Sequence, residues 1–509
     1  MKRRAALAVA LLFALAAAAG VARWWRPAVE EPELDLPTPS GPQQSGAFHK
    51  VVLESDEQID GRYRDTLEQP VEHDVAADGS VYFVERFGEV RVWRPALGRS
   101  VLLAKLEVHR DELHTEEGML GIALDPRFEE NGWLYLQYSL PGVEPGEFGH
   151  RSGLMRIARF RVVGDRLDLA SEQVFLEVRL QREVCCHAGG SLAFDADGNL
   201  YIGIGENRPP WGGLGWAPLD ERPGHELEDS QITAANSDDL RGKILRIHPE
   251  EDGSYTIPAG NLFPPGTPRA RPEIYVMGTR NPFSISIDRR ARMLYFGEPG
   301  PDAGKPPETI REHVREIVRT PRGPVGYDEI NQVPRAGNYG WPYFIARNFP
   351  YRDFDFASET LGPPFDPERP INDSPNNTGL RELPPAQPAL IYYPTDPSEE
   401  FPMVGQGGRV AIAGPVHYYD ANRAPPCRYP PELDHVLFIA DWQRSWIMAV
   451  HLGADERVER IERFLPEMTF HRPIDLKSGP DGCLHLIEWG STWGLGNLDS
   501  QIARIEYRP

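Results

Sequence analysis

The sequence predicts an all-β fold, a six-bladed β-propeller with long loops between the blades. A short phrase, a turn followed by alternating apolar residues, recurs six times, and most copies are followed by a second apolar strand. The 50 prolines and 48 glycines supply the many turns that such a fold needs. At 509 residues the chain is longer than one compact core usually holds. A fold built by repeating a small unit is not subject to this limit.

Each copy of the phrase combines a turn with the start of a strand. Asp-Gly supplies the positive φ angles of a tight turn, and the alternating apolar residues are typical of a strand. The copies are residues 78–84, 131–136, 197–202, 292–296, 433–439 and 481–487. The clearest second strands are residues 90–93, 157–160, 244–247 and 502–505. Strand pairs that recur in this way favour propeller blades over the hairpins of a β-sandwich, and their uneven spacing predicts long functional loops.

The first residues predict export from the cytoplasm. A basic start, Met1-Lys2-Arg3-Arg4, precedes an apolar run, which is the pattern of a secretory signal. Small residues at 17–19 suit cleavage, whereas the length of the run and Arg23-Trp24-Trp25-Arg26 suit an uncleaved membrane anchor, and both remain open. The expected organisation is a signal peptide or anchor over residues 1–26, a flexible linker over 27–47 and the propeller over 48–509. The expected location is periplasmic or extracellular, with a possible membrane tether.

Charge and cysteine content narrow the function further. A formal net charge of −22 argues against nucleic-acid binding, which needs a basic surface. The four cysteines can form disulfides in an oxidising compartment. The adjacent Cys185 and Cys186 can close a strained ring or remain two thiols, and the sequence leaves both open. The sequence has no Cys-x-x-Cys-His motif for a covalently attached c-type haem.

The segment richest in chemistry is residues 185–194, Cys-Cys-His-Ala-Gly-Gly-Ser-Leu-Ala-Phe. Glycines beside a histidine let the backbone approach a flat ligand closely. A lone histidine is usually structural, but His187 stands just before a predicted buried strand, between cysteines and glycines. It is therefore a candidate general base.

This segment, with Asp-Ala-Asp-Gly-Asn-Leu-Tyr after it, resembles the catalytic-base segment of a known family. The family is that of the soluble sugar dehydrogenases that use pyrroloquinoline quinone (PQQ), grouped with glucose and sorbosone dehydrogenases. Further segments resemble family motifs in the same order, from about residue 70 to the C-terminus. They are residues 118–128, 239–247, 278–282, 328–331 and 337–342.

The resemblance implies roles for individual residues. His187 and Arg280 would be catalytic, as the base and as the arginine beside the quinone oxygens. The residues expected to bind the cofactor are Glu116, Arg280, Asn281, Gln443, Arg444 and Arg472. Gln443 stands where the family has a lysine, which the adjacent Arg444 could replace. Cys186 and Glu116 also depart from the family pattern, so the resemblance does not carry over the choice of substrate.

The resemblance also implies a calcium site. In the family, carbonyl groups of a Gly-Pro pair and a nearby Asp-Glu hold the ion, and hard oxygen ligands suit calcium. The expected ligands are Gly300, Pro301, Asp328 and Glu329; the alternative is a plain acidic turn. An insertion over residues 303–327, with helical spacing of its apolar residues, separates the two halves of the set.

The implied function is the PQQ- and calcium-dependent oxidation of a sugar, a polyol or a related alcohol. His187 would take the hydroxyl proton while hydride passes to the quinone, and the electrons would leave to a separate cytochrome or quinone. Two alternatives keep the fold: a non-catalytic extracellular binding module and a calcium-dependent hydrolase of the lactonase type.

Overall fold

The computed structural model describes residues 37–110, 116–209, 216–303, 322–356, 358, 360–492 and 497–509. The expected signal or anchor, residues 27–36 of the expected linker and the expected helix of the insertion lie outside the described residues. Among the residues that the structure describes, no helix is long and apolar enough to cross a membrane.

Six antiparallel sheets of four main strands each confirm the six-bladed propeller. We number the blades in the chain order of their first strands. Blade 1 contains Pro70–Val75, Val81–Glu85, Glu89–Arg94 and Arg99–Lys105. Blade 2 contains Met119–Leu124, Trp133–Ser139, Arg151–Val162 and Leu167–Gln181, with Glu144–Pro145 at its edge. Blade 3 contains Gly189–Phe194, Leu200–Ile204, Lys243–Pro249 and Ile274–Met277, with Tyr255–Thr256 and Gly337–Asn338 at its edges.

The other half of the ring follows the same plan. Blade 4 contains Ser284–Asp288, Met293–Glu298, Tyr327–Val333 and Ile391–Pro394. Blade 5 contains Ala411–His417, Val436–Asp441, Trp446–Leu452 and Val458–Phe464. Blade 6 contains Pro473–Ser478, Leu484–Glu488, Gln501–Tyr507 and Phe48–Ser55, with Gln43–Ser45 at its edge.

Short elements make up the rest of the described secondary structure. Three small hairpins pair Glu57–Ile59 with Arg62–Arg64, Phe344–Ile345 with Phe349–Pro350, and Arg352–Asp355 with Thr360–Pro364. The helical turns are Phe128–Asn131, Glu147–Gly149, Glu226–Glu228, Ser230–Ile232, Pro402–Val404 and Pro431–Leu433.

The repeated phrase has the same structural role in all six blades. It forms the turn between the first and second strands and continues into the second strand. Every one of these turns contains a residue with positive φ: Gly79, Gly132, Gly198, Arg292, His435 and Gly482. Glycine adopts this conformation without strain, which explains why four of the six turns use it. The local pattern in the sequence therefore marks the blades correctly.

The first strands of neighbouring blades contact one another in a closed ring, from blade 1 to blade 6 and back to blade 1. They therefore surround the central channel, and the outer strands follow in order in each blade. Since the blades repeat one plan around the axis, the N-terminal ends of all six first strands lie at the same end of the channel. We call this end the channel mouth.

The N-terminal strand Phe48–Ser55 closes the ring. It pairs antiparallel with Gln501–Tyr507 and so supplies the outer strand of blade 6. Gln43–Ser45, which the sequence pattern assigned to the linker, pairs with the N-terminal end of this strand. The linker therefore ends before residue 43, because the backbone beyond that point is hydrogen-bonded within the sheet.

Asp56 secures this closure. Its carboxylate accepts the main-chain N–H groups of Thr66 (2.7 Å), Leu67 (3.0 Å) and Ser500 (3.1 Å). The side chain thus joins the end of the N-terminal strand to the last blade.

We expect Asp56→Ala to lower the free energy of unfolding by about 2–3 kcal/mol, because the N–H groups of the buried Leu67 and Ser500 and of the partly buried Thr66 lose their acceptor. Burial raises the pKa of Asp56 to about 7, which limits the gain from a charged acceptor. The measurement is urea denaturation. The neighbouring exposed Glu57→Ala should stay within about 0.5 kcal/mol of the parent, and equal losses in both variants would contradict the proposed role of Asp56.

Candidate active site

Ionisable side chains lie at the channel mouth because each stands shortly before the first strand of its blade. They are Glu116 in blade 2, His187 in blade 3, Arg280 in blade 4, Arg409 in blade 5 and Arg472 in blade 6. Four of the five are predicted site residues, and they are scattered over more than 350 positions in sequence. The ring brings them to one end of the channel.

His187 is held in a defined position by its backbone. Its main-chain N–H donates to Glu116 Oε2 (2.9 Å), and its carbonyl accepts the N–H of Asn207 (3.0 Å). The residue has a positive φ of 55° and is 3% exposed. His187 therefore occupies a tight, buried turn at the start of blade 3.

A buried glutamate faces the imidazole ring. Glu206 Oε1 lies 3.3 Å from His187 Nδ1, and Glu206 is fully buried at the end of the second strand of blade 3. Its other oxygen accepts Trp341 Nε1–H (2.5 Å) and the hydroxyl of Ser230. A carboxylate at Nδ1 favours a proton on that nitrogen and leaves Nε2 with the lone pair that a base needs.

Sequence reasoning missed Glu206. A signal was present, because Glu206 is a charged residue two positions after a mainly apolar strand, Leu200–Ile204, in the blade that carries the candidate base. Only the structure shows that its side chain turns towards His187.

The pKa of His187 is lowered from its ordinary value of 6.5. Burial is the largest cause, since it disfavours the charged ring, and the positive charge of Arg280 acts in the same direction. Glu206 acts in the opposite direction and raises the pKa of His187. The imidazole is therefore neutral at pH 7, which is the state that can accept a proton.

Arg280 and Asn281 complete one cluster with His187 and Glu116. Arg280 Nη1 donates to the carbonyl of Pro299 (2.7 Å), and Arg280 Nε lies 3.9 Å from Glu206 Oε1. Asn281 Nδ2 donates to Glu116 Oε2 (3.3 Å). The predicted base, the predicted quinone-side arginine and two predicted cofactor residues are therefore brought together.

Glu298 anchors this pair of residues to blade 4. Its carboxylate accepts the main-chain N–H groups of both Arg280 and Asn281. Burial, together with the nearby charge of Glu329, raises the pKa of Glu298 well above its usual value.

Arg472 presents a buried donor with no acceptor. Its guanidinium lies over the ring of Trp442, 4.4 Å from the centroid, and its main-chain N–H donates to Ser445 Oγ (3.3 Å). Among the described residues, Nη1 has no hydrogen-bond partner although it is buried. Leaving a buried donor unpaired is costly, and a ligand carboxylate would satisfy it.

Arg444 has a structural role instead of the predicted cofactor contact. Its three guanidinium nitrogens make five hydrogen bonds to main-chain carbonyls, one at the end of the last strand of blade 4 and four in the loop that joins blades 4 and 5. A guanidinium has five N–H donors, so none is left for a cofactor carboxylate. Gln443 beside it is exposed and lies close to Gly408.

The expected calcium ligands are close together, but they do not form an open cation site. Asp328 Oδ1 accepts the N–H of Gly300 (2.9 Å), and Oδ2 accepts the N–H of Ala411 (2.9 Å). Arg409 Nη2 donates to the carbonyl of Pro301 (2.6 Å). Both oxygens of Asp328 and the carbonyl of Pro301 therefore already accept N–H donors, one of them positively charged.

Glu329 is equally engaged. Its two oxygens accept the N–H of Ala346 and the side-chain amide of Asn331 (3.0 Å). Burial raises the pKa of Glu329 to about 7.

The cysteines form two disulfides. Cys185 and Cys186 close the ring next to His187, and Cys427 is linked to Cys483. Of the two possibilities for the adjacent cysteines, the structure has the disulfide.

Comparison with known proteins gives a family match. The family model for glucose/sorbosone dehydrogenase matches residues 67–361. An uncharacterized protein of Synechocystis is 29% identical over 61% of this chain and 66% of its own length. The aldose sugar dehydrogenase of Escherichia coli is 29% identical over 50% of this chain and 54% of its own length. Human Hedgehog-interacting protein is 29% identical over 44% of this chain and 31% of its own length. The chain thus matches less than two thirds of each of these relatives.

Solved structures share the fold. The soluble aldose sugar dehydrogenase of Escherichia coli, in its apo form, has a TM-score of 0.55 at 20% identity, covering 91% of this chain and 100% of that one. The PQQ-bound aldose sugar dehydrogenase of Streptomyces coelicolor has a TM-score of 0.54 at 18% identity, covering 92% and 99%. At these identities the likeness concerns the propeller itself.

Proposed function

The chain belongs to the glucose/sorbosone dehydrogenase family, and we propose that it oxidises a sugar or a related alcohol with PQQ as its cofactor. The observation that carries the proposal is the pairing of a buried, neutral His187 with Glu206 beside Arg280 at the channel mouth. A binding module has no need of such a base.

The residues present fit a cofactor with several carboxylates. PQQ has three of them, and the buried Nη1 of Arg472, which has no partner among the described residues, suits one. Arg280 and Asn281 would lie beside the quinone oxygens. When bound, PQQ supplies the two-electron acceptor that side chains lack.

The chain's own residues would handle the proton and the charge. His187 Nε2 takes the proton of a substrate hydroxyl group, and Glu206 at Nδ1 stabilises the imidazolium that results. Arg280 stabilises the negative charge that develops on the substrate oxygen as its proton leaves to His187, and this charge is lost again when hydride leaves the carbon and the carbonyl forms. Glu116 fixes the backbone of His187 and the side chain of Asn281. It thereby holds the base and the predicted cofactor-binding Asn281 in a constant position relative to each other.

The test is PQQ binding and dye reduction by the purified protein. We expect PQQ to quench tryptophan fluorescence saturably and the complex to reduce an artificial acceptor with aldoses or polyols. A protein that binds no PQQ, or binds it without oxidising any member of the panel, would refute the proposal. Hydrolysis of lactones without PQQ would instead support the hydrolase alternative.

We further place the protein outside the cytoplasm, where the N-terminal pattern directs it, with a separate cytochrome or quinone as electron acceptor. Cell fractionation with and without residues 1–26 tests this placement. Recovery of the full-length chain in the cytoplasm would contradict it.

The pH dependence of kcat/KM should reflect the protonation of His187. Because burial and Arg280 lower its pKa, the ring stays neutral below pH 6.5, and the acid limb of the profile should lie below that value. Glu206→Gln removes the charge that raises this pKa and should move the limb to still lower pH while reducing the rate. A limb at or above pH 6.5 in the parent protein would contradict the assignment.

A further inference from the structure

Arg409 occupies the place where a cation is expected. It stands two residues before the first strand of blade 5, and its side chain is 5% exposed. Its Nη2 donates to the carbonyl of Pro301 (2.6 Å), and its Nε lies 3.2 Å from Asp328 Oδ1. These are oxygens that the family resemblance assigns to calcium.

The backbone is shaped for this guanidinium. A Cβ on Gly326 would lie 1.6 Å from the carbonyl oxygen of Pro301 and 2.3 Å from Arg409 Nη2. Only glycine therefore lets residue 326 pack against both groups. The guanidinium is thus held by a carbonyl from one segment and by a buried carboxylate and a glycine from a second segment.

A calcium ion would have to displace this charge. Calcium takes about six to eight oxygen ligands, whereas the carboxylate oxygens of Asp328 and Glu329 already have N–H partners. A divalent ion placed on the same oxygens would also repel the guanidinium strongly in a buried site.

We propose that Arg409 replaces the divalent cation in this chain. Asp328 and Pro301 hold the guanidinium, and Nη1 lies 3.9 Å from Oδ1 of the exposed Asp302. The guanidinium would supply the positive charge that the carboxylate and quinone oxygens of the acidic cofactor would otherwise find in the metal. Cofactor binding would then need no metal. The inference rests on the proposed function, since it concerns how the same cofactor is held.

The decisive measurement is PQQ binding with and without calcium. Fluorescence titrations of the parent protein in excess EGTA and in excess calcium should yield the same Kd within about threefold. Elemental analysis of the PQQ complex should find no stoichiometric calcium. Binding that is lost in EGTA and restored by calcium overturns the inference but leaves the proposed function standing. No binding under either condition overturns both.

Two substitutions test the guanidinium itself. Arg409→Met removes the charge and should weaken PQQ binding in EGTA by at least about tenfold, and excess calcium should recover part of the loss because the freed oxygens can bind it. Arg409→Lys, which keeps the charge without the planar fork, should lose less. Unchanged binding in a folded Arg409→Met protein contradicts the inference.

A matched control lies in the same blade. Arg463, half-buried on the last strand of blade 5, donates to the carbonyl of Met403 (3.0 Å). Arg463→Met should leave PQQ binding unchanged with and without calcium. An equal loss in this variant would mean that the effect of Arg409→Met is general destabilisation. If Arg409→Met does not fold, the calcium titration of the parent protein still decides.

Discussion

Replacing His187 with asparagine is expected to lower kcat by about 10³-fold while PQQ binding stays within about threefold of the parent. General-base catalysis contributes about 10²–10⁴-fold to the rate. We expect a contribution within this range because the ring of His187 is buried, neutral and oriented by Glu206. Asparagine tolerates the positive φ of residue 187 better than most residues, so the backbone should persist. The measurement is steady-state dye reduction beside a PQQ titration.

A second histidine–glutamate pair provides the control. His451 Nε2 lies 2.9 Å from Glu462 Oε1 on the outer strands of blade 5, away from the channel mouth. His451→Asn should keep nearly full activity. If His187→Asn retains more than about a tenth of the parent kcat, His187 is not the base.

Removing the Cys427–Cys483 disulfide should cost the most stability. This bond joins the loop between the first two strands of blade 5 to blade 6 and closes a chain segment with a sequence separation of 56. Constraint of the unfolded chain by a loop of this length corresponds to about 4 kcal/mol. We expect the double variant Cys427→Ser, Cys483→Ser to lose close to this amount in denaturant unfolding.

The adjacent disulfide is a natural comparison. Cys185–Cys186 has a sequence separation of 1, so it closes no chain loop. The double variant Cys185→Ser, Cys186→Ser should stay within about 1 kcal/mol of the parent in stability. Its effect should appear in kcat or KM, because Cys186 precedes His187. Equal losses of stability in the two double variants would contradict the loop-closure explanation.

Much of the fold was predictable because the signals are local. Each blade begins its second strand with a turn whose conformation demands a residue of positive φ, and that demand is met within a few neighbouring residues. The third strands of blades 1, 2, 3 and 6 follow from apolar patterns of the same short range.

The closure of the ring was not predictable in this way. Phe48–Ser55 pairs with Gln501–Tyr507, some 450 residues away, and neither segment carries a mark of the other. Backbone hydrogen bonds between distant strands depend little on side-chain identity, so the linker was extended too far in the sequence-based prediction.

The candidate site shows the same difference between what local sequence signals predict and what distant contacts decide. The sequence by itself implied, through its resemblance to a known family, that His187, Arg280, Asn281 and Arg472 belong to one motif set, and the structure places each of them shortly before the first strand of a blade. Only the tertiary structure decided what each charge does. Arg444 and Arg472 are both arginines and belong to neighbouring blades. Arg444 donates all its guanidinium hydrogen bonds to main-chain carbonyls, whereas Arg472 has a buried Nη1 without a partner among the described residues.

The tertiary structure likewise decided the roles of Glu206 and of Arg409, which lies opposite Asp328. The sequence sets which charges exist and which strands carry them. Their partners are set by the ring, which brings together segments far apart in the chain, and a buried charge takes its role from the groups packed against it.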